Sequence, residues 1–134
     1  MYRRDLLTAE IQRLGLALAR ITGLKQQGKT EEADNGLDEI LEQEYGILFS
    51  DLTASSLDDF QAFLNEKNFP AEKLDFFSQF LYLKFSPSAD TNENKSVAEK
   101  LLLIFSILET KHHIINMINL DRQKMIQQYI NSQS

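Results

Sequence analysis

Residues 25–41 read KQQGKTEEADNGLDEIL, and this stretch decides the fold class. A polar helix end rich in lysine and glutamine runs into Gly28, and a second helix opens on Thr30-Glu31-Glu32-Ala33. Thr30 has the side chain of an N-cap. Glu31 and Glu32 fall in the first turn, where negative charge meets the positive end of the helix dipole. Ala33, Leu37, Ile40, Leu41 and Tyr45 then recur at helical spacing. Gly46 follows where a left-handed residue ends helices, with Ile47 placed to fold back on the last turn. The spacing predicts a helix over about 30–45 that continues through Asn35–Gly36, a pair that elsewhere signals a turn.

Upstream, Leu7, Ile11, Leu14, Leu18 and Ile21 form one continuous stripe on a first helix. The same residues make a short heptad seam that could pair with a second copy of the chain. Downstream, Ser55 or Ser56 opens a third helix, each followed three residues later by an aspartate, Asp58 or Asp59. Leu57, Phe60, Phe63 and Leu64 supply its buried face. The helix stops before Asn68, and Pro70 starts a fourth, reaching about residue 85. That helix carries Phe76, Phe77, Phe80, Tyr82 and Phe85 and is apolar almost all round, so it is either central or partly an interface. A polar loop at about 86–94, SPSADTNEN, precedes a fifth helix from about Ser96. The stretch after it is helical in composition with a break near Asn116 or Asn119, Asn119 being a candidate cap for a final helix. The tail is frayed. The prediction is one all-α domain over 1–134, about six antiparallel helices joined by short loops.

Composition narrows the function classes. The chain of 134 residues has no cysteine, which removes disulfides, thiolate metal sites and cysteine nucleophiles and fits a reducing cytoplasm. No segment has the roughly 18 to 20 apolar residues needed to span a bilayer. The net charge of −6 is unevenly spread. Residues 31–66 hold eleven acids and no lysine or arginine, whereas residues 1–25 hold five bases and two acids. This balance argues against nucleic acid and anionic membranes as partners, despite Arg3, Arg4, Arg13 and Arg20. It allows a basic partner, or pairing with the first helix. A charge run on a helix is ordinarily a solvated face, and that is the bland alternative.

A tetratricopeptide array would repeat every 34 residues. Aligning Ala33 with that motif's alanine puts Ile21 and Ile40 where small residues belong. Moving 34 residues downstream takes Gly28 to Ala62 and Ala33 to Lys67, so the period fails. The hairpin layout survives without the repeat. An opening RDLLTAEIQRLGLALARI helix, GKTEEADNGLDEIL, a serine-capped LDDFQAFL and a C-terminal INLDRQKMIQQY together resemble small bacterial all-α families built from tetratricopeptide-like helical hairpins. The resemblance implies a superhelical α fold and carries over no catalytic residue.

Motifs for chemistry are weak. Glu109 and His112 form the Glu-x-x-His pair that aims two ligands at one ion in di-iron bundles, but a full site needs a second pair. His113 points about 100° away on a helix and cannot supply it. A polar helix end, with Lys111, His112 and His113 meeting the negative pole, explains the same residues. Gly28-Lys29-Thr30 matches only the end of a phosphate loop, and no nucleophile elbow or dinucleotide glycine motif is present. Residues 34–44, DNGLDEILEQE, only loosely approach a calcium loop.

The reading is a small non-enzymatic protein–protein interaction module with a protein partner, no cofactor, no metal, no nucleic acid and no membrane. The candidate contact residues are Glu31, Glu32, Asp38 and Glu39 on the acidic face and Phe76, Tyr82 and Phe85 on the aromatic helix. Self-association through the first or fourth helix is a second form of it. The alternative is a helical enzyme or metal-binding protein centred on Glu109 and His112.

Overall fold

The structure, a computed structural model, describes residues 2–133, with side chains from residue 6 onward. Among these it contains seven helices and no strand: α1 Tyr2–Gln26, α2 Thr30–Tyr45, α3 Phe49–Ala54, α4 Leu57–Lys67, α5 Ala71–Tyr82, α6 Asn92–Thr110 and α7 Met117–Gln133. The chain is all-α, as the spacing predicts. The helix beyond the expected six is α3, whose six residues are too few to display a helical period. The stretch from 96 onward breaks into two helices. The helices fall into two compact units, one ending at Leu48 and one beginning at Phe49.

In the first unit α1 and α2 pack as a hairpin. Gly28, at φ 78°, makes the turn that a side chain would strain. Leu14 and Ile21 of α1 and Ala33, Leu37, Leu41 and Tyr45 of α2 are all buried. Gly36 sits in the middle of α2 for a packing reason: a Cβ there would lie 3.3 Å from Cγ1 of Ile21. Arg13 donates to both carboxylate oxygens of Glu44, at 2.8 and 2.9 Å, tying the two helices across their flank. That hydrogen bond, with the charge of Glu44, raises the Arg13 pKa further. Arg13 is 58% exposed, so the pair contributes at most about 1 kcal/mol. At the end of α2 the amides of Gly46 and Ile47 bond the carbonyls of Glu42 and Leu41, the expected left-handed stop. The start differs from expectation. Lys29 occupies the N-cap position and no side chain caps the helix, so Thr30 is its first residue rather than its cap.

The second unit is built around α6, against which α3, α4, α5 and α7 all pack. In a solenoid each unit touches only its neighbours. Here α6 touches helices two and three elements back in the chain, which is bundle packing. Val97, Ala98, Leu101, Ile104, Phe105 and Leu108 form its buried surface. The aromatic helix α5 meets α4 through an edge-on pair, Phe77 against Phe60 at 6.1 Å, and the turn between the two helices through Phe77 against Phe69 at 6.0 Å. The local signals read from sequence hold in α4. Ser56 Oγ accepts the amide of Asp59, and Asn68 closes the helix in the left-handed conformation at φ 48°.

Two polar residues of α6 are buried. The Lys100 ammonium donates to the carbonyl of Ser55 and to Ser96 Oγ, and Ser96 Oγ in turn donates to the carbonyl of Thr53. Ser55 Oγ donates to the carbonyl of Leu52. The carbonyls of Leu52 and Thr53 in the last turn of α3, and of Ser55 just beyond it, are therefore satisfied by side chains, and that of Asp51 by the amide of Ser55. Burial pushes the Lys100 ammonium pKa down.

Asn94 organises the other end. Its Oδ1 accepts the amide of Ser86 at 2.9 Å, and its Nδ2 donates to the carbonyls of Ser86 at 2.7 Å and Ala89 at 3.0 Å. The helix begins at Asn92 with Thr91 as its cap, four residues before the expected Ser96, and Asn94 belongs to it rather than to the polar loop. Changing Asn94 to Ala removes these bonds and leaves buried loop groups unpaired, so urea unfolding is expected to show a loss of roughly 2 to 3 kcal/mol. The exposed neighbour substitution Asn92→Ala is expected to stay within about 0.5 kcal/mol of wild type. Equal effects from the two would contradict the role given to Asn94.

Candidate functional site

A polar-floored cavity opens on the second unit where α5 meets the start of α7. Asn116 Oδ1 accepts the amide of Asn119 at 2.8 Å, so Asn116 caps α7 and Asn119 does not. Asn119 is instead buried, and its side-chain amide donates to Asp75 Oδ1 at 3.2 Å. The other oxygen of Asp75 accepts from Gln79 Nε2, one turn along α5, at 3.1 Å. These groups floor a cavity of about 280 Å³ lined by Asp75, Gln79, Asn116, Met117, Ile118 and Asn119. Its outer wall is apolar and faces solvent, Met117 being 73% and Ile118 63% exposed. Ile115, Leu120 and Met125 add exposed apolar surface within the same eleven residues.

Farther along, the Arg122 guanidinium lies 4.6 Å from the centre of the Tyr82 ring, a cation–π contact. The Tyr82 hydroxyl donates to Met125 Sδ at 3.4 Å. Tyr82 is half-buried under α7, and Phe76 is half-buried beside Phe80. Phe85 does not belong to an exposed patch. It is 6% exposed and meets Tyr129 edge-on at 5.1 Å, while the Tyr129 hydroxyl donates to the carbonyl of Ala89. Its burial follows from the chain turning after Tyr82: three successive short-range bonds, from Leu83, Lys84 and Phe85 back to Phe80, Leu81 and Tyr82, curl it inward.

Glu31, Glu32, Asp38 and Glu39 are all exposed on α2. Glu31 and Asp38, like Glu32 and Glu39, are seven residues apart, close to two full turns, so each pair shares a face. Glu39 accepts from Gln43 one turn on. Of the bases of the first helix, Arg13 is held by Glu44 and Arg20 is exposed, while the side chains of Arg3 and Arg4 lie outside the described residues.

The Glu109–His112 pair straddles a helix end. α6 stops at Thr110, and the amide of Ile114 returns to the carbonyl of Leu108 at 2.8 Å. His113 stands in the left-handed conformation, φ 57°, at the closing position more often taken by glycine or asparagine. Lys111 reaches Asn68 Oδ1 at 3.1 Å, joining the ends of α6 and α4. Among the described residues no three His, Asp or Glu side chains gather as a metal site requires.

The patch at 115–125 escaped the sequence reading, although a signal existed. Ile114, Ile115, Met117, Ile118 and Leu120 crowd into seven positions, more than one helix face can bury. Chemically, the arrangement is suited to gripping apolar side chains above a polar floor. The carboxylate of Asp75 is occupied by two neutral amide donors. No protein-family model matches the chain, and no curated protein or solved structure is detectably similar to it. Among the described residues no helix is long and apolar enough to cross a membrane.

The His112 side chain has its pKa lowered from 6.5, first by burial and then by the charges of Lys111 and His113. A base with a depressed folded pKa is protonated more readily in the unfolded chain, so it contributes stability above its ordinary pKa that is lost as pH falls through the folded value. Urea midpoints measured from pH 8 to 5 are therefore expected to fall more steeply, below about 6.5, in wild type than in His112→Gln. Parallel curves would contradict the burial given to this ring.

Proposed function

We propose that this chain is a small non-enzymatic protein-interaction module, working in the cytoplasm, with the surface at the start of α7 as a contact site for a protein partner. The observation that carries this reading is the cluster Ile115, Met117, Ile118, Leu120 and Met125, each between 43% and 73% exposed. Isolated exposed apolar residues are ordinary, whereas five within eleven positions, two of them lining a polar-floored cavity, mark an interaction surface. Tyr82, Phe76 and Arg122 lie on the same two helices and supply residue types enriched where proteins meet. The cysteine-free composition suits a reducing compartment. The acidic face of α2 offers a second contact surface through Glu31, Glu32, Asp38 and Glu39.

The test is site-specific photocrosslinking in cells that express the chain natively. A photoreactive residue at Ile118 is expected to give a discrete adduct with one polypeptide, and the same residue at the exposed position Gln128 is expected to give none. An adduct with a second copy of the chain would make the module a homodimer. Absence of any adduct from Ile118, or the same diffuse pattern from both positions, would overturn the reading.

A further inference from the structure

The groove between α4 and α6 on the second unit shares no lining residue with the cavity at the start of α7, and its lining is of a different kind. It measures about 410 Å³ and is lined by Leu57, Asp58 and Gln61 of α4 and by Glu99, Leu102 and Leu103 of α6. Leucines come from both helices, and Leu57 is 41% exposed although large and apolar. The volume falls in the range of roughly 300 to 1,000 Å³ typical of binding clefts.

The charge around this apolar lining has one sign. Asp58 contributes a carboxylate from α4 and Glu99 one from α6, and Asp59 stands exposed beside Asp58. Neither Asp58 nor Glu99 has a hydrogen bond or an ion pair through its carboxylate among the described residues. The nearby bases of α6 are engaged elsewhere. Lys95, one turn before Glu99, pairs with Asp90 at 3.1 Å. Lys100 feels the charge of Glu99, but its ammonium is turned inward to Ser55 and Ser96. The dipole of α4 accounts for an acid at Asp58, in the first turn. It does not account for Glu99, in the middle of α6.

We infer that this groove docks a cationic amphipathic segment of a partner polypeptide, its leucine-type side chains seated on Leu57, Leu102 and Leu103 and its lysines or arginines against Asp58 and Glu99. This rests on the interaction-module reading and gives the partner a chemistry. Apolar contact in the groove supplies affinity, and the carboxylates at its two edges select the sign of charge and the register.

The test uses the whole chain and a fluorescent leucine–lysine peptide of about 14 residues, long enough to form an amphipathic helix on binding. Two analogues keep the leucines but carry glutamate or glutamine in place of lysine. Anisotropy titrations are expected to show binding of the lysine peptide and weaker binding of both analogues. The double substitution Asp58→Asn with Glu99→Gln is expected to weaken the lysine peptide by roughly three- to tenfold, a loss that shrinks as salt rises. Leu102→Gln is expected to weaken it as well. A control that neutralises three exposed acids lining neither cavity (Asp51→Asn, Glu66→Gln, Glu72→Gln) removes more charge and is expected to leave affinity unchanged. Circular dichroism confirms that each variant remains helical.

Failure of the lysine peptide to bind would overturn the inference. So would an equal loss from the Asp51/Glu66/Glu72 control, which would reduce the effect to overall charge. Equal binding of the glutamine analogue would give the groove an uncharged occupant and overturn the cationic assignment. Self-association of the wild type that disappears in the Asp58/Glu99 variant would make the occupant a second copy. None of these results touches the crosslink from Ile118, so the groove can fail while the module reading stands.

Discussion

A buried lysine holds the second unit in register. Lys100 is 2% exposed, and its ammonium bonds a backbone carbonyl and a serine hydroxyl rather than a carboxylate. Removing a cation from water is costly unless its donors are satisfied. What offsets that cost is the end of α3. A helix of six residues has no independent stability. The carbonyls of Leu52 and Thr53 in its last turn, and of Ser55 just after it, would lose their partners without Ser55, Ser96 and Lys100. The positive charge also meets the negative pole of that short helix. With α3 fixed on α6, the chain enters α4 at Ser56 in the position from which α4 reaches α6 as well.

Asn94 plays the corresponding part at the start of α6. Between them, Asn94 and Lys100 explain why α6, rather than the more aromatic α5, is central. A middle helix has to present hydrogen-bonding groups to the irregular segments that cross its ends, and leucines and phenylalanines cannot. α5 carries its rings against its neighbours, with Phe77 edge-on to Phe60 and Phe69, while it packs on α6 and meets α7 through Asp75 and Tyr82.

What was legible in the sequence follows from this division. Local signals were sufficient wherever a helix boundary is decided by its own residues. The stripe of α1, the glycine stop of α2 at Gly46, the serine cap of α4 and the end of α4 at Asn68 could all be read directly. Boundaries set by distant partners could not. α6 begins at Asn92 because Asn94 binds the loop before it, yet NENK reads as polar loop. Thr30 looked like a cap and is a first helical residue. Phe85 looked like interface and is core, because Tyr129, forty-four residues away in sequence, closes over it. The candidate surfaces divide in the same way. The acids of α2 were visible as a run of charge. The apolar patch on α7 and the leucine groove under Asp58 and Glu99 required knowing which apolar residues the core leaves out. Asp75 accepts from two amides, and Glu109 and His112 stand at the capped end of α6.

The most direct measurement of the central claim is native-state hydrogen exchange on the wild type beside Lys100→Met. Amides of α6 around Leu101, Ile104 and Phe105 are expected to exchange only through global unfolding, with protection equal to the unfolding free energy from denaturant. In the variant, the amides of α3 are expected to lose protection first while those of α6 remain the slowest. Exchange of α6 through local opening in the wild type, or unchanged protection of α3 in the variant, would contradict the central place given to α6 and its buried lysine.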